Sequence, residues 1–253
     1  MKIFLILTIF LLPNLLFARN IGETEITTEE GIEVFQNEKY YLLKKNVKIE
    51  SDNFILNAEN VKINFENNLN DITELYAEGN VRFRSSEFNM QGSGENLIFE
   101  VDVEALQVQG KNSKLITDDI KMFSNGIIKV NNLNGEFYLN GEDSKLINEG
   151  VLIIAESIEG AFTNKTNKKE ITFLNVLDEN ISYVKNNNSE MYAKKINFDN
   201  ETSLIQLKDN VTIIRDGEKV TGDYGTLDTK NNSYKIKSNN QTKVKAIILN
   251  NEQ

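Results

Sequence analysis

Residues 207–236 read LKDNVTIIRDGEKVTGDYGTLDTKNNSYKI, and three features of that run decide the fold. Val211-Thr212-Ile213 alternates apolar with polar side chains, the period of a strand with one buried and one wet face. Arg215-Asp216-Gly217 and Lys230-Asn231-Asn232 consist of residues that accept tight turns, Gly at positive φ and Asn or Asp by bonding their own backbone. Gly222-Asp223 interrupts the next alternating stretch, after Val220, and marks a corner where a larger Cβ would clash. The unit is strand, turn, strand, small residue with acidic residue, strand.

The same shape recurs at 46–83, NVKIESDNFILNAENVKINFENNLNDITELYAEGNVRF, with Ala58-Glu59 at the corner. Strand openings repeat along the chain as KNVKI (45–49), EGNVRF (78–83), EGVLII (149–154), ENISY (179–183) and DNVTII (209–214). Their apolar anchors Val47, Val81, Val151, Ile181 and Val211 are separated by 34, 70, 30 and 30 residues, so the 70 reads as two units with one degenerate corner. SKLI at 113–116 returns at 144–147. Self-similarity at this period is the signature of stacked units that bury their apolar faces only against neighbours. With 1 Pro in 253 residues, long ladders meet few missing donors. The expected fold is an elongated, antiparallel all-β stack with no helix after the leader.

Composition narrows the chemistry. The chain has no His, Cys or Trp, which excludes Ser-His-Asp and Cys-His nucleophile pairs, thiolate metal sites and disulfides. Lys and Arg number 28 against 38 Asp and Glu, a net charge of −10, which speaks against a nucleic-acid partner. Acidic pairs such as Asp118-Asp119 and Glu29-Glu30 fall on alternating faces of a strand, a poor arrangement for a hard cation. No catalytic residue, cofactor or metal site is expected, and the protein reads as no enzyme.

The N-terminus, Met1-Lys2 followed by an apolar run to Leu12, then Pro13-Asn14 and Leu15 to Ala18 before Arg19, has the form of a secretory leader. The run is short for a membrane span, which needs roughly 20 apolar residues. Residues 1–18 are therefore expected to be a signal peptide cleaved after Ala18. A mature chain of 253 − 18 = 235 residues remains.

The two stretches at 207–236 and 46–83 resemble the OstA-like superfamily, the lipopolysaccharide-transport proteins of the LptA type and their relatives. They cover about a third of the mature chain strongly, through corner residues and alternation rather than invariant chemistry. The resemblance implies that residues 19–253 form an OstA-like β-jellyroll folded into a V. Its apolar interior would shield the acyl chains of lipopolysaccharide in the periplasm, bridging inner to outer membrane in outer-membrane assembly. It implies as partners lipopolysaccharide itself, OstA-like domains of the inner- and outer-membrane export complexes joined by edge-strand pairing, and further copies joined head to tail. The chain departs from a single such module in length, and the middle, 84–146, lacks a clean GNV corner. One long jellyroll or two concatenated modules, about 30–115 and 116–240, both fit. Alternatives are a membrane-anchored LptC-like component of the same exporter and a structural β-solenoid or adhesin with a filled core.

Alternation selects the inward positions, which the resemblance makes candidate groove-lining contacts for lipid. They are Val47, Ile49, Phe54, Leu56, Val61, Ile63, Phe65, Val81, Phe83, Phe88, Met90, Leu97, Phe99, Ile128, Val130, Phe137, Leu139, Ile196, Phe198, Val211, Ile213 and Val220. The same residues would fill the core of a jellyroll holding no ligand at all.

Overall fold

The computed structural model describes residues 20–68, 71–165, 168–186, 189–239 and 242–248. The expected signal peptide, 1–18, lies outside them. Among the described residues all helical or strand structure is strand. In chain order the strands are β1 (Glu25–Thr27), β2 (Gly31–Phe35), β3 (Tyr40–Glu50), β4 (Phe54–Phe65), β5 (Ile72–Ser85), β6 (Met90–Glu100), β7 (Ala105–Gln109), β8 (Ser113–Thr117) and β9 (Ile120–Ser124). They continue as β10 (Ile127–Asn131), β11 (Glu136–Asn148), β12 (Val151–Lys165), β13 (Lys168–Asn186), β14 (Ser189–Asp199), β15 (Leu204–Arg215), β16 (Glu218–Asp228), β17 (Ser233–Lys237) and β18 (Lys245–Ile248).

Every pairing is antiparallel, and the ladder runs as a meander. The registers jump at one level in strand after strand: at Lys44/Val47, Asn57/Asn60, Glu78/Val81, Asn140/Ser144, Tyr192/Lys195 and Lys208/Val211. These jumps form a crease that divides each long strand into two arms. β1 with β2, β7 with β8, β9 with β10 and β17 with β18 are bent strands interrupted at the crease, so 18 − 4 leaves 14 bent strands among the described residues. One leaf contains residues such as 60–65, 96–100, β7 and β10; the other contains 54–58, 90–94, β8 and β9. The ladder passes through residue 115 unbroken, Leu115 pairing with Met122 in β9 and Gly92 in β6.

Corner residues explain the crease. On alternate strands it is a bulge with positive φ, at Lys45-Asn46, Gly79-Asn80, Gly141 with Asp143, and Asp209-Asn210, a conformation that Gly and Asn tolerate at little steric cost. On the intervening strands a small residue turns inward. At Gly222 a Cβ would stand 2.5 Å from Ile236 Cγ2 and 2.7 Å from the Lys237 carbonyl, so the side chain is absent because the neighbouring strand occupies its place. The middle of the chain uses the same device without a GNV string, through Gly94, Gly110 with Asn112, and Gly126.

One corner overturns an expectation. Ile181, read as the apolar anchor of its strand opening, is 53% exposed. Between Leu177 and Ser182 strand β13 carries more residues than its partner β14 carries between Lys195 and Ala193, yet its inward positions keep one phase through the corner, Leu174, Val176, Ser182 and Val184 all being buried, and Ile181 falls on the other face. The same phase places Asp178 inward, two residues after Val176, and it is 8% exposed. Its carboxylate accepts the Glu156 N–H at 2.8 Å, the Ser157 N–H at 3.0 Å and the Ser182 hydroxyl at 2.7 Å. A side chain thus satisfies the backbone donors that the broken ladder leaves open.

Between the leaves lies one apolar cluster running from Leu43 to Leu227. The terminal strands each pair on one side: β1 and β2 with β3, β17 and β18 with β16.

Candidate functional site

The alternation seen in sequence places its selected residues between the leaves. Val47, Ile49, Leu56, Val61, Ile63, Phe65, Val81, Phe83, Met90, Leu97, Ile128, Val130, Phe137, Leu139, Ile196, Val211 and Ile213 are buried. Phe54, Phe88, Phe99 and Phe198 are half-buried and pack on the cluster, and Val220 is the half-buried cross-strand partner of Ile213. Position between the leaves is not the same as access to a ligand. Leu56, Leu97 and Leu139 are 0% exposed and line none of the spaces described below.

Two of the open spaces among the described residues lie between the leaves, while a third of about 580 Å³ is bordered by Ile98, Gln107, Lys129, Tyr138 and Phe173. The larger is a cavity of about 1090 Å³ at the N-terminal end, opposite the crease. Ile49, Phe54 and Phe88 line it from one leaf, and Ile63 and Phe99 from the other. Sequence reasoning missed Ile26, Ile72, Leu75 and Val101, which complete the apolar wall. Ile26 sits in a three-residue strand, too short for a periodic signal. The rings of Phe88 and Phe99, 6.3 Å apart and edge to face, come together from opposite leaves. Around the mouth the lining residues are Asn20, Thr24, Ser51 and Ser85 with Glu23, Glu25, Glu87 and Glu104.

The smaller space, about 240 Å³, lies between β11 and β15. It includes Ile196 and Phe198 from the expected set, and Val151, Ile153, Ile171, Leu174, Val184 and Ile205 from outside it.

Between the two spaces the leaves are clasped. β12 and β13 are the longest strands, 15 and 19 residues, and their first-leaf arms reach toward the turn between β8 and β9 on the second leaf. The Lys169 N–H donates to Asp119 Oδ2 at 2.7 Å, and the Asn148 side-chain amide donates to the Asp119 carbonyl at 3.1 Å. Lys168 forms an ion pair with Glu149 across the same gap. Beneath, Phe162 is 5% exposed and its ring carries the Lys169 ammonium 4.4 Å from its centroid. Burial lowers the Lys169 pKa below its usual value, with the Asp119 carboxylate opposing part of that shift. Only about 10 Å³ remains among Met90, Leu115, Ile120, Met122, Val130 and Phe162, room for about one water at most. The Asp118-Asp119 pair is therefore engaged in bonding turns, with Asp118 accepting from the Asn89 amide.

No family model matches the chain, and no curated protein matches it significantly. Among solved structures, LptH of Pseudomonas aeruginosa, described as the LptA-homologous periplasmic component of the lipopolysaccharide transport device, aligns over 90% of this chain and 95% of its own. The identity is 8% and the TM-score 0.24. A superposition this loose assigns neither fold nor function; the fold rests on the sheet itself.

Proposed function

We propose that this protein is a non-enzymatic lipid carrier of the periplasm, holding acyl chains of lipopolysaccharide between its two leaves and bridging inner and outer membranes. The observation that carries the reading is the cavity of about 1090 Å³, walled by Ile, Leu and Phe from both leaves and open at the hairpin tips. Small-ligand sites commonly occupy about 300–1,000 Å³, so the space suits a large apolar ligand. Each CH₂ kept from water there contributes roughly 0.8 kcal/mol, while a glycan stays outside the tips. The sequence resemblance at 46–83 and 207–236 supports the same class. Free edges support assembly: β2 and β17 each pair on one side, so an OstA-like partner domain or a second copy can continue the ladder.

A photoreactive residue placed at Ile63, Phe88 or Phe99, with the outward Lys62 as control, tests the reading. Lipopolysaccharide adducts from the three cavity positions alone support it. A second reading, a filled structural β-solenoid, draws on the packed centre beneath the clasp; it gains if folded, exported protein gives no adduct at any position.

A further inference from the structure

The lining of the large cavity is one-sided in charge. Four carboxylates, Glu23, Glu25, Glu87 and Glu104, border its mouth, and no Lys or Arg is among its lining residues. Adjacent hairpin tips extend the pattern, with Asp52, Glu66, Asp71 and Asp102 beside them and Lys39 the one cation on the tips from 36 to 104 among the described residues. The small cavity is bordered by two carboxylates, Glu149, which pairs with Lys168, and Glu170, which accepts from the Asn200 amide at 2.7 Å, so the large cavity carries twice as many.

A cleft with low-dielectric walls and charges of one sign focuses its field at the opening. An apolar chain entering between Ile63, Phe88 and Phe99 brings its polar group to that opening, because the walls below offer it no partner. Resting on the carrier reading above, we infer that the large cavity selects acyl-chained ligands whose polar group carries no net negative charge. A cationic or uncharged head group is accepted, and a phosphate-bearing ligand enters only with its charge neutralised.

The test uses the leaderless protein with amphiphiles that share a dodecyl chain: dodecyltrimethylammonium, dodecyl maltoside and dodecyl phosphate. Each is added below its micelle-forming concentration, with EDTA, in competition with the uncharged fluorescent probe N-phenylnaphthylamine. At low ionic strength the phosphate should bind about tenfold more weakly than the maltoside and the ammonium at least as tightly. The gap should close in high salt, where exposed charges are screened within about 3 Å at 1 M. The double variant Glu87→Lys, Glu104→Lys should reverse the order of ammonium and phosphate. Should it fail to fold, Glu87→Gln, Glu104→Gln should narrow the gap instead. Equal binding of phosphate and maltoside at low salt, or an order unmoved by a folded double variant, overturns the charge inference and leaves the carrier reading standing. Failure of all three amphiphiles to displace the probe overturns both.

Discussion

At the N-terminal end the leaves stand apart around about 1090 Å³, whereas between β11 and β15 the same alternating strands enclose about 240 Å³. Composition of the walls does not account for the difference, since Ile, Leu, Val and Phe line both. What differs is the reach of the tips. The β12–β13 hairpin is longer than its neighbours and is tied across to the second leaf through Lys169 and Asp119, while β3 to β6 run to 14 residues at most. Width in a creased sheet is thus set at the tips rather than in the core.

The sharpest challenge to that contrast is a pair of truncations. Leu139→Ala, in the packed centre, should lose about 2–5 kcal/mol, because a cavity is left where none existed. Phe99→Ala should lose only about 1 kcal/mol, roughly half of what full burial of a Phe is worth, since one face of the ring already borders empty space. Equal losses by chemical denaturation would mean that the large cavity is collapsed in solution. Next in size, Asp178→Ala should cost about 2–4 kcal/mol, as two backbone amides and a hydroxyl lose their acceptor. Its damage should be confined to the clasped half, read as faster amide exchange at Glu156 and Ser157 with β3 and β4 unchanged.

Smaller again is the clasp itself. Asp119→Ala removes the acceptor of the Lys169 amide, a bond worth about 1–2 kcal/mol, so exchange at Lys169 should rise on the order of tenfold. An unchanged rate would show that the hairpin holds by packing of Phe162 alone. The smallest effect belongs to the C-terminal edge. The Thr242 hydroxyl, then the Asn239 N–H, hold the Asp223 carboxyl below its ordinary value of 3.8. Because the folded value is the lower one, the attachment is fully present above the ordinary value and is lost as pH falls through the lowered one. Amides of β18 should keep their protection down to about pH 4 and lose it below, a dependence that Asp223→Asn should abolish.

Much of this architecture was legible in the sequence. Alternation placed residues such as Val61, Phe83 and Ile213 between the leaves, and Asn, Asp and Gly clusters marked the turns, because both signals are local and backbone-encoded. Ile181 escaped, since the string ENISY resembles the other strand openings, whereas the inward phase of β13 runs through Val176, Ser182 and Val184 and passes it by. The division into open, clasped and small compartments escaped for a different reason. Period two reports which face a side chain takes, not how far away the opposite leaf lies. The Asp119–Lys169 link joins residues 50 apart, a separation no local pattern reports.

The meander bears on how such a chain comes to be folded. Each strand pairs with the strand made just before it, and the crease brings its two arms together without waiting for a distant segment. Low separation between pairing partners favours rapid folding. Hairpins can add to the sheet in order as they emerge from a ribosome or a pore. The growing edge is then always the newest strand, unpaired and receptive. At β17 and β18, which each pair on one side among the described residues, that receptiveness remains as a growth front.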